Sequence, residues 1–127
     1  MKNYLILVSG PPGSGKDTFA YGMLAGSLIL SADDFMVNKL GEYDFDRTRL
    51  GECHQTCQAL TREALAKGMN VAVCNTFTKA WEAAPYKQMA KDAGAVLVVC
   101  DVRGDFENVH GCPPEKVERM RREKEAI

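Results

Sequence analysis

Seven residues near the amino terminus, Gly10-Pro-Pro-Gly-Ser-Gly-Lys16, constrain this chain more than any other feature. They follow a strand-like run over 3–8, whose Tyr4-Leu-Ile-Leu-Val8 portion is apolar throughout. A run apolar at every position reads as a strand buried on both faces, and such strands belong to parallel sheets covered by helices. The segment from about Lys16 to Leu24 reads as a helix, so the glycines form a turn that leads from strand to helix.

The rest of the chain repeats that alternation. Leu28-Ile-Leu30 reads as a second strand ending at Ser31-Ala-Asp-Asp34, and an acidic, aromatic loop follows at Gly41-Glu-Tyr-Asp-Phe-Asp46. Leu50, Cys53, Cys57, Leu60 and Ala64 recur at helical spacing and predict one apolar face, with Gly68 as the stop. Val71-Ala-Val-Cys74 reads as a third strand ending at Asn75-Thr76. A helix over Ala80–Ala93 stops at Gly94, and Ala95–Cys100 reads as a fourth strand ending at Asp101. Pro113-Pro-Glu115 opens a terminal helix. The expectation is one α/β domain over 1–127, a parallel sheet of four or five strands with helices on both faces. Polar residues gather just past the strand ends, where open α/β sheets bind ligands.

Composition narrows the function classes. The chain is 46% hydrophobic and 26% charged, which suits a folded core and excludes a disordered or disulfide-stapled chain. No apolar run reaches the ~18 residues of a membrane span. The short apolar start is followed by Gly, Pro, Lys and Asp rather than a cleavage site, so no export signal is read. Five irregularly spaced cysteines suit reduced thiols. The expected location is cytoplasmic, as for a cellular protein or a viral one acting inside its host. Sixteen Lys and Arg against 17 Asp and Glu give a net charge of −1, which excludes recognition of nucleic acid by bulk charge. Only the tail, with Lys116, Arg119, Arg121, Arg122 and Lys124, offers a local basic patch.

The heptapeptide fits G-x-x-x-x-G-K in the strand-to-helix setting that this pattern requires. Gly10, Pro11, Pro12, Gly13, Ser14 and Gly15 supply a turn whose amides converge on an anion. The helix start adds partial positive charge, and Lys16 reaches the β and γ phosphates. Asp17 stands where a Ser or Thr usually ligates Mg²⁺, and Thr18 comes one residue later. Asp17 either holds the ion or caps the helix. Asp33 and Asp34 offer paired carboxylates to deprotonate an acceptor hydroxyl or hold Mg²⁺, the alternative being a helix cap. Cys53 and Cys57 bracket His54 but share the apolar face, so they read as core rather than zinc ligands, with His54 off that face. Trp81 reads as helix packing; Tyr43 and Phe45 are better placed to touch an acceptor base.

The array resembles the polynucleotide-kinase-type P-loop kinases, the bacteriophage polynucleotide kinase domain and its small AAA-like relatives. The resemblance rests on the heptapeptide, Ser31-Ala-Asp-Asp-Phe35, Gly41-Glu-Tyr-Asp-Phe45, His54-Gln-Thr-Cys57, Asn75-Thr76, Ala80-Trp-Glu82 with Pro85-Tyr86, and Asn108-Val-His-Gly-Cys-Pro113. It implies a P-loop kinase fold that moves the γ-phosphoryl of ATP, with Mg²⁺, to a hydroxyl of a polynucleotide, at a 5′-end or on a modified DNA base. Lys16 and Asp33 are the implied catalytic residues, with Asp33 as general base; Arg103 is the one candidate to replace the lid arginines of relatives as a third catalytic residue, the alternative being a lone surface Arg. The loop residues, Asp17, Thr18, Asn108 and His110 would bind the nucleotide, Asp17 and Asp34 the metal, and Tyr43, Phe45, His54, Asn75 and Thr76 the acceptor. Cys74 stands where an Asp is common, Met36 where the phage enzyme has an Arg, and only Asp101 to Glu107 separate Cys100 from Asn108. A nucleotide or small-metabolite kinase, and an ATP-binding protein without transfer, are the other readings of the same residues.

Overall fold

A computed structural model describes residues 2–11, 14–23, 26–37, 40–102, 119–120 and 122–123. Among them, four strands alternate with helices: β1 (Tyr4–Ser9), α1 (Lys16–Met23), β2 (Leu28–Leu30), α2 (Leu50–Ala66), β3 (Val71–Asn75), α3 (Ala80–Ala93) and β4 (Val96–Asp101). Short 3-10 turns occupy Ala32–Phe35 and Arg47–Arg49. The sheet has the order β2-β3-β1-β4, with every pairing parallel. The order explains the hydrophobic run of β1: it lies between two neighbours, pairing Leu5 with Val71 and with Leu97.

Alternation along the strands splits the core in two. Leu5, Leu7, Val71 and Val73 pack with Cys53, Cys57, Ala64 and Leu65 of α2 and with Ala83, Tyr86, Met89 and Ala90 of α3. Ile6, Val8, Ala72 and Cys74 face the other way, against Phe19 and Ala20 of α1. Helices therefore cover both faces, as the continuous apolar strands required. The sheet's amino edge is closed by two asparagines. Asn3 Nδ2 donates to the Leu65 and Met69 carbonyls, and Asn70 Oδ1 accepts from Tyr4 N–H.

Two expectations about packing are corrected. The α2 face runs from Cys57 to Thr61, not Leu60; Thr61 is wholly buried and Leu60 is exposed. Thr61 hides its hydroxyl by donating to the Cys57 carbonyl at 2.7 Å, which lets a polar residue stand in the core. Trp81 does not pack against the helix layer either: it is 74% exposed at the start of α3. The carboxyl side of α3 ends as expected, at Gly94 in the left-handed region. No helix among the described residues is long and apolar enough to cross a membrane. Of the terminal helix, residues 119–120 and 122–123 are helical; Pro113-Pro-Glu115 lies outside the described residues.

Candidate functional site

The site lies at the carboxyl edge of the sheet, where β1 runs into the glycine-rich loop. Close packing makes glycine necessary at position 10. A Cβ there would collide with Ser14 Oγ and with the Val102 carbonyl. Gly15 takes a φ of 90°, which L side chains rarely adopt. Inside the loop Ser14 N–H donates to the Pro11 carbonyl at 3.1 Å, and Phe19 N–H donates to the Gly15 carbonyl at 2.9 Å. Ser14 Oγ is buried with no hydrogen-bond partner among the described residues. Pro12 and Gly13 lie outside those residues.

Lys16 opens α1 and is only 7% exposed. No carboxylate among the described residues lies within ion-pair distance of it. A cation so far withdrawn from water at a helix start is suited to holding an anion. Asp17 is half-buried beside it and Thr18 is exposed.

The second element is the Ala32–Phe35 turn. Ser31 caps it: its Oγ accepts from Asp33 N–H at 3.3 Å, and its own N–H donates to Asp34 Oδ2 at 3.1 Å. The capping alternative for this pair therefore applies to Asp34, and it involves one of that residue's oxygens. Asp33 is half-buried. At the end of β3, Asn75 is 6% exposed, and its Oδ1 accepts from Ala32 N–H at 2.9 Å. Thr76 beside it is half-buried. Asn75 also lies near enough to the Tyr86 hydroxyl and Cys57 thiol to ease their ionisation, against burial that pushes both up. Its Nδ2 nevertheless makes no well-formed hydrogen bond among the described residues.

The aromatic loop folds back onto this turn. Asp44 N–H donates to the Met36 carbonyl at 2.9 Å, and Tyr43 pairs with Val37. Tyr43 and Phe45 are both exposed. Met36 is fully buried; its sulfur lies 3.4 Å from Asp46 N–H and 4.0 Å from Cys53 Sγ. His54 is half-buried on α2. Arg103, Asn108 and His110 lie outside the described residues.

Charge converges beneath the loop. Burial pushes the Cys74 thiol up to about 12, with Asp17 and Asp34 raising it further and Lys16 opposing them. The Tyr21 hydroxyl is raised in the same sense by partial desolvation and by Asp34 and Asp17, although the residue as a whole is 65% exposed. Lys16 and the two carboxylates thus act on one small region. No group of three or more His, Cys, Asp and Glu able to hold a metal occurs among the described residues. Two hard carboxylates beside a phosphate site still fit Mg²⁺, which commonly takes one or two from the protein and completes its shell with water and phosphate oxygens. The neutral Cys74 thiol is not such a ligand.

Sequence reasoning missed Arg49. Its guanidinium donates to the Val37 carbonyl at 2.6 Å and to the Phe35 carbonyl at 3.1 Å. The local signal was slight: a Glu three residues on, at 3.9 Å.

Fold and loop together define a P-loop domain of the α/β kinase type. A family model described as an AAA domain matches residues 5–110, and the chain belongs to that family, as a polynucleotide-kinase-like P-loop domain. Human NEDD4-binding protein 2 is 34% identical over 130 residues, a match that takes in 91% of this chain and 7% of that protein. The chain thus corresponds to a small part of that relative. A chain of the Pnkp1/Rnl/Hen1 RNA repair complex matches in structure with a TM-score of 0.69 and 17% identity, over 97% of this chain and 45% of its own. The APS kinase CysC of Mycobacterium tuberculosis, in complex with AMPPNP and APS, matches with a TM-score of 0.61 and 17% identity, over 93% of this chain and 68% of its own. At these identities the two structures are alike in fold.

Proposed function

We propose that this chain is an ATP-dependent phosphotransferase that moves the γ-phosphoryl group, with Mg²⁺, to a hydroxyl of a polynucleotide. The observation that carries the reading is Lys16: a buried cation at the start of α1, directly after a glycine loop, at the ligand edge of a parallel sheet. Lys16 and the loop amides hold the phosphates. Asp33 takes the proton of the acceptor hydroxyl as its oxygen attacks phosphorus. The acceptor side would be formed by Tyr43 and Phe45, whose rings are exposed, with the half-buried His54 and Thr76, while the buried Asn75 of the expected set supports the turn that carries Asp33. Asp17 and Asp34 would hold Mg²⁺, which when bound neutralises charge on the transferring group. The polynucleotide acceptor is supported by the family match and by the likeness to a chain of an RNA repair complex.

A second reading, a kinase for a nucleotide or other small metabolite, is favoured by the net charge of −1 and by the fold shared with APS kinase. Incubation with [γ-³²P]ATP and a panel of DNA, RNA, modified DNA, nucleosides and APS separates the two. Label on a polynucleotide supports the first reading. Label confined to small molecules supports the second, and no label on any acceptor contradicts both.

A further inference from the structure

The internal bonds of the Ala32–Phe35 turn are short-range. Asp33 N–H reaches Ser31 Oγ, Ser31 N–H reaches Asp34, and Met36 N–H donates to the Asp33 carbonyl at 3.1 Å. Such bonds set the shape of a turn but not its place relative to a loop elsewhere in the chain. That place is set by the chain's exit from β2, by burial of Ala32 and Met36 in the core beside Cys53 and Cys57, and by hydrogen bonds from two side chains of other elements. Asn75, the last residue of β3, accepts from Ala32 N–H, the first residue of the turn. Arg49, immediately before α2, donates to the carbonyls of Phe35, the last residue of the turn, and of Val37.

The two grips differ in origin and agree in effect. Asn75 is paired in the sheet with Ser9, the residue that leads into Gly10. The hold on Ala32 and the root of the phosphate loop therefore belong to one hydrogen-bonded unit. The Arg49 guanidinium is a planar fork that spans two carbonyls, a task a lysine ammonium performs poorly. Packing alone does not account for an amide at Asn75, because among the described residues its buried Nδ2 has no well-formed bond. A buried amide with one unmatched end is worse than an apolar side chain of the same shape unless its other end is needed.

We propose that Asn75 and Arg49 are positioning residues that hold the turn at both ends and so fix Asp33 against the phosphate loop. Asn75 is buried with its Oδ1 engaged by Ala32 N–H, so in this proposal it acts through the turn rather than on the acceptor, and Arg49 does likewise. The proposal rests on the kinase reading for the role of Asp33, but the clamp itself is open to test without any substrate.

The first readout is amide hydrogen exchange on the full chain, with no nucleotide present. Asn75→Ala should speed exchange at Ala32 N–H by about tenfold or more while Leu5–Val8 of β1 stay protected. Unchanged exchange at Ala32 would overturn the proposal. If β1 also loses protection, Arg49→Ala decides: faster exchange at Met36 with β1 intact supports the clamp, and unchanged exchange there overturns it. The second readout is kinetic. Arg49→Ala should lower kcat by about 10–100-fold with little change in KM for ATP, and Arg49→Lys should recover only part. In an Asp33→Asn background the same substitution should cost less than about threefold more, since both act through one carboxylate. Fully multiplicative losses would overturn the positioning role. Should the wild-type chain transfer no phosphate at all, the kinase reading fails while the exchange result still decides the clamp.

Discussion

The phosphate loop and the acidic turn lie at the same edge of the sheet but are built in opposite ways. The loop is shaped mainly by its own residues, with Gly10 packed against Ser14 and Gly15 at positive φ, and it takes one close contact from afar, the Val102 carbonyl just past β4. The turn is held by side chains from afar, Asn75 at its first residue and Arg49 at its last. The glycine loop is therefore encoded largely by its own residues, while Asp33, the carboxylate proposed to act with it, is placed by the tertiary fold. The loop should fail through steric change or loss of its lysine, and the turn through loss of distant hydrogen bonds.

The largest effect is expected at the loop. Lys16→Ala should weaken ATP binding and lower transfer by about 10³-fold or more, the scale of a cation at the transferring phosphoryl group. Its circular dichroism should stay that of the wild type, since Lys16 lies on the site edge rather than in either apolar cluster. Unchanged ATP affinity would break the assignment of the loop. Gly10→Ala strikes the same element through packing. With the Val102 carbonyl unable to move aside easily, it should cost about 1–3 kcal/mol of stability. Thermal melting should show a Tm lower by roughly 5–10 °C.

A pH effect sharpens the picture of the ground beneath both elements. The Cys74 thiol is raised from 9.0 to about 12, chiefly by burial. Its folded pKa exceeds the unfolded one, so its contribution to stability is fully present below pH 9 and is lost as pH rises toward 12. Denaturant melts across that window should show falling stability, and Cys74→Val should flatten the fall. An equal slope in the variant would mean that other buried groups, such as Tyr86 and Cys57, account for it. The smallest effect is expected at Trp81, which is exposed and outside both clusters; Trp81→Ala should change stability by less than about 0.5 kcal/mol.

The same contrast governs what could be read from the amino acids. The alternation of strands and helices was legible because the strands are short, near-continuous apolar runs and α2 carries a helical period, and α3 spans Ala80–Ala93 as expected. The loop was legible because its glycines and lysine fall in seven consecutive residues, whereas the Val102 carbonyl that crowds Gly10 was not. Leu60 was misplaced because hydrophobicity favoured it over Thr61, and the bond that hides the Thr61 hydroxyl is visible only in three dimensions. Asn75 could be placed at the site edge but not given its partner, since Ala32 is 43 positions away. Arg49 left only the slight mark of Glu52 three residues on, because nothing in a sequence distinguishes a guanidinium bound to two carbonyls from one in water.

The division of labour between loop and turn is tested most directly by titrating ATP into Asp33→Asn in a calorimeter and following transfer from [γ-³²P]ATP in the same preparation. The account predicts ATP affinity within about twofold of wild type and a transfer rate lower by about 10²–10⁴-fold, the usual loss when a general base is removed. Near-normal transfer, or an affinity that falls in step with the rate, would contradict it.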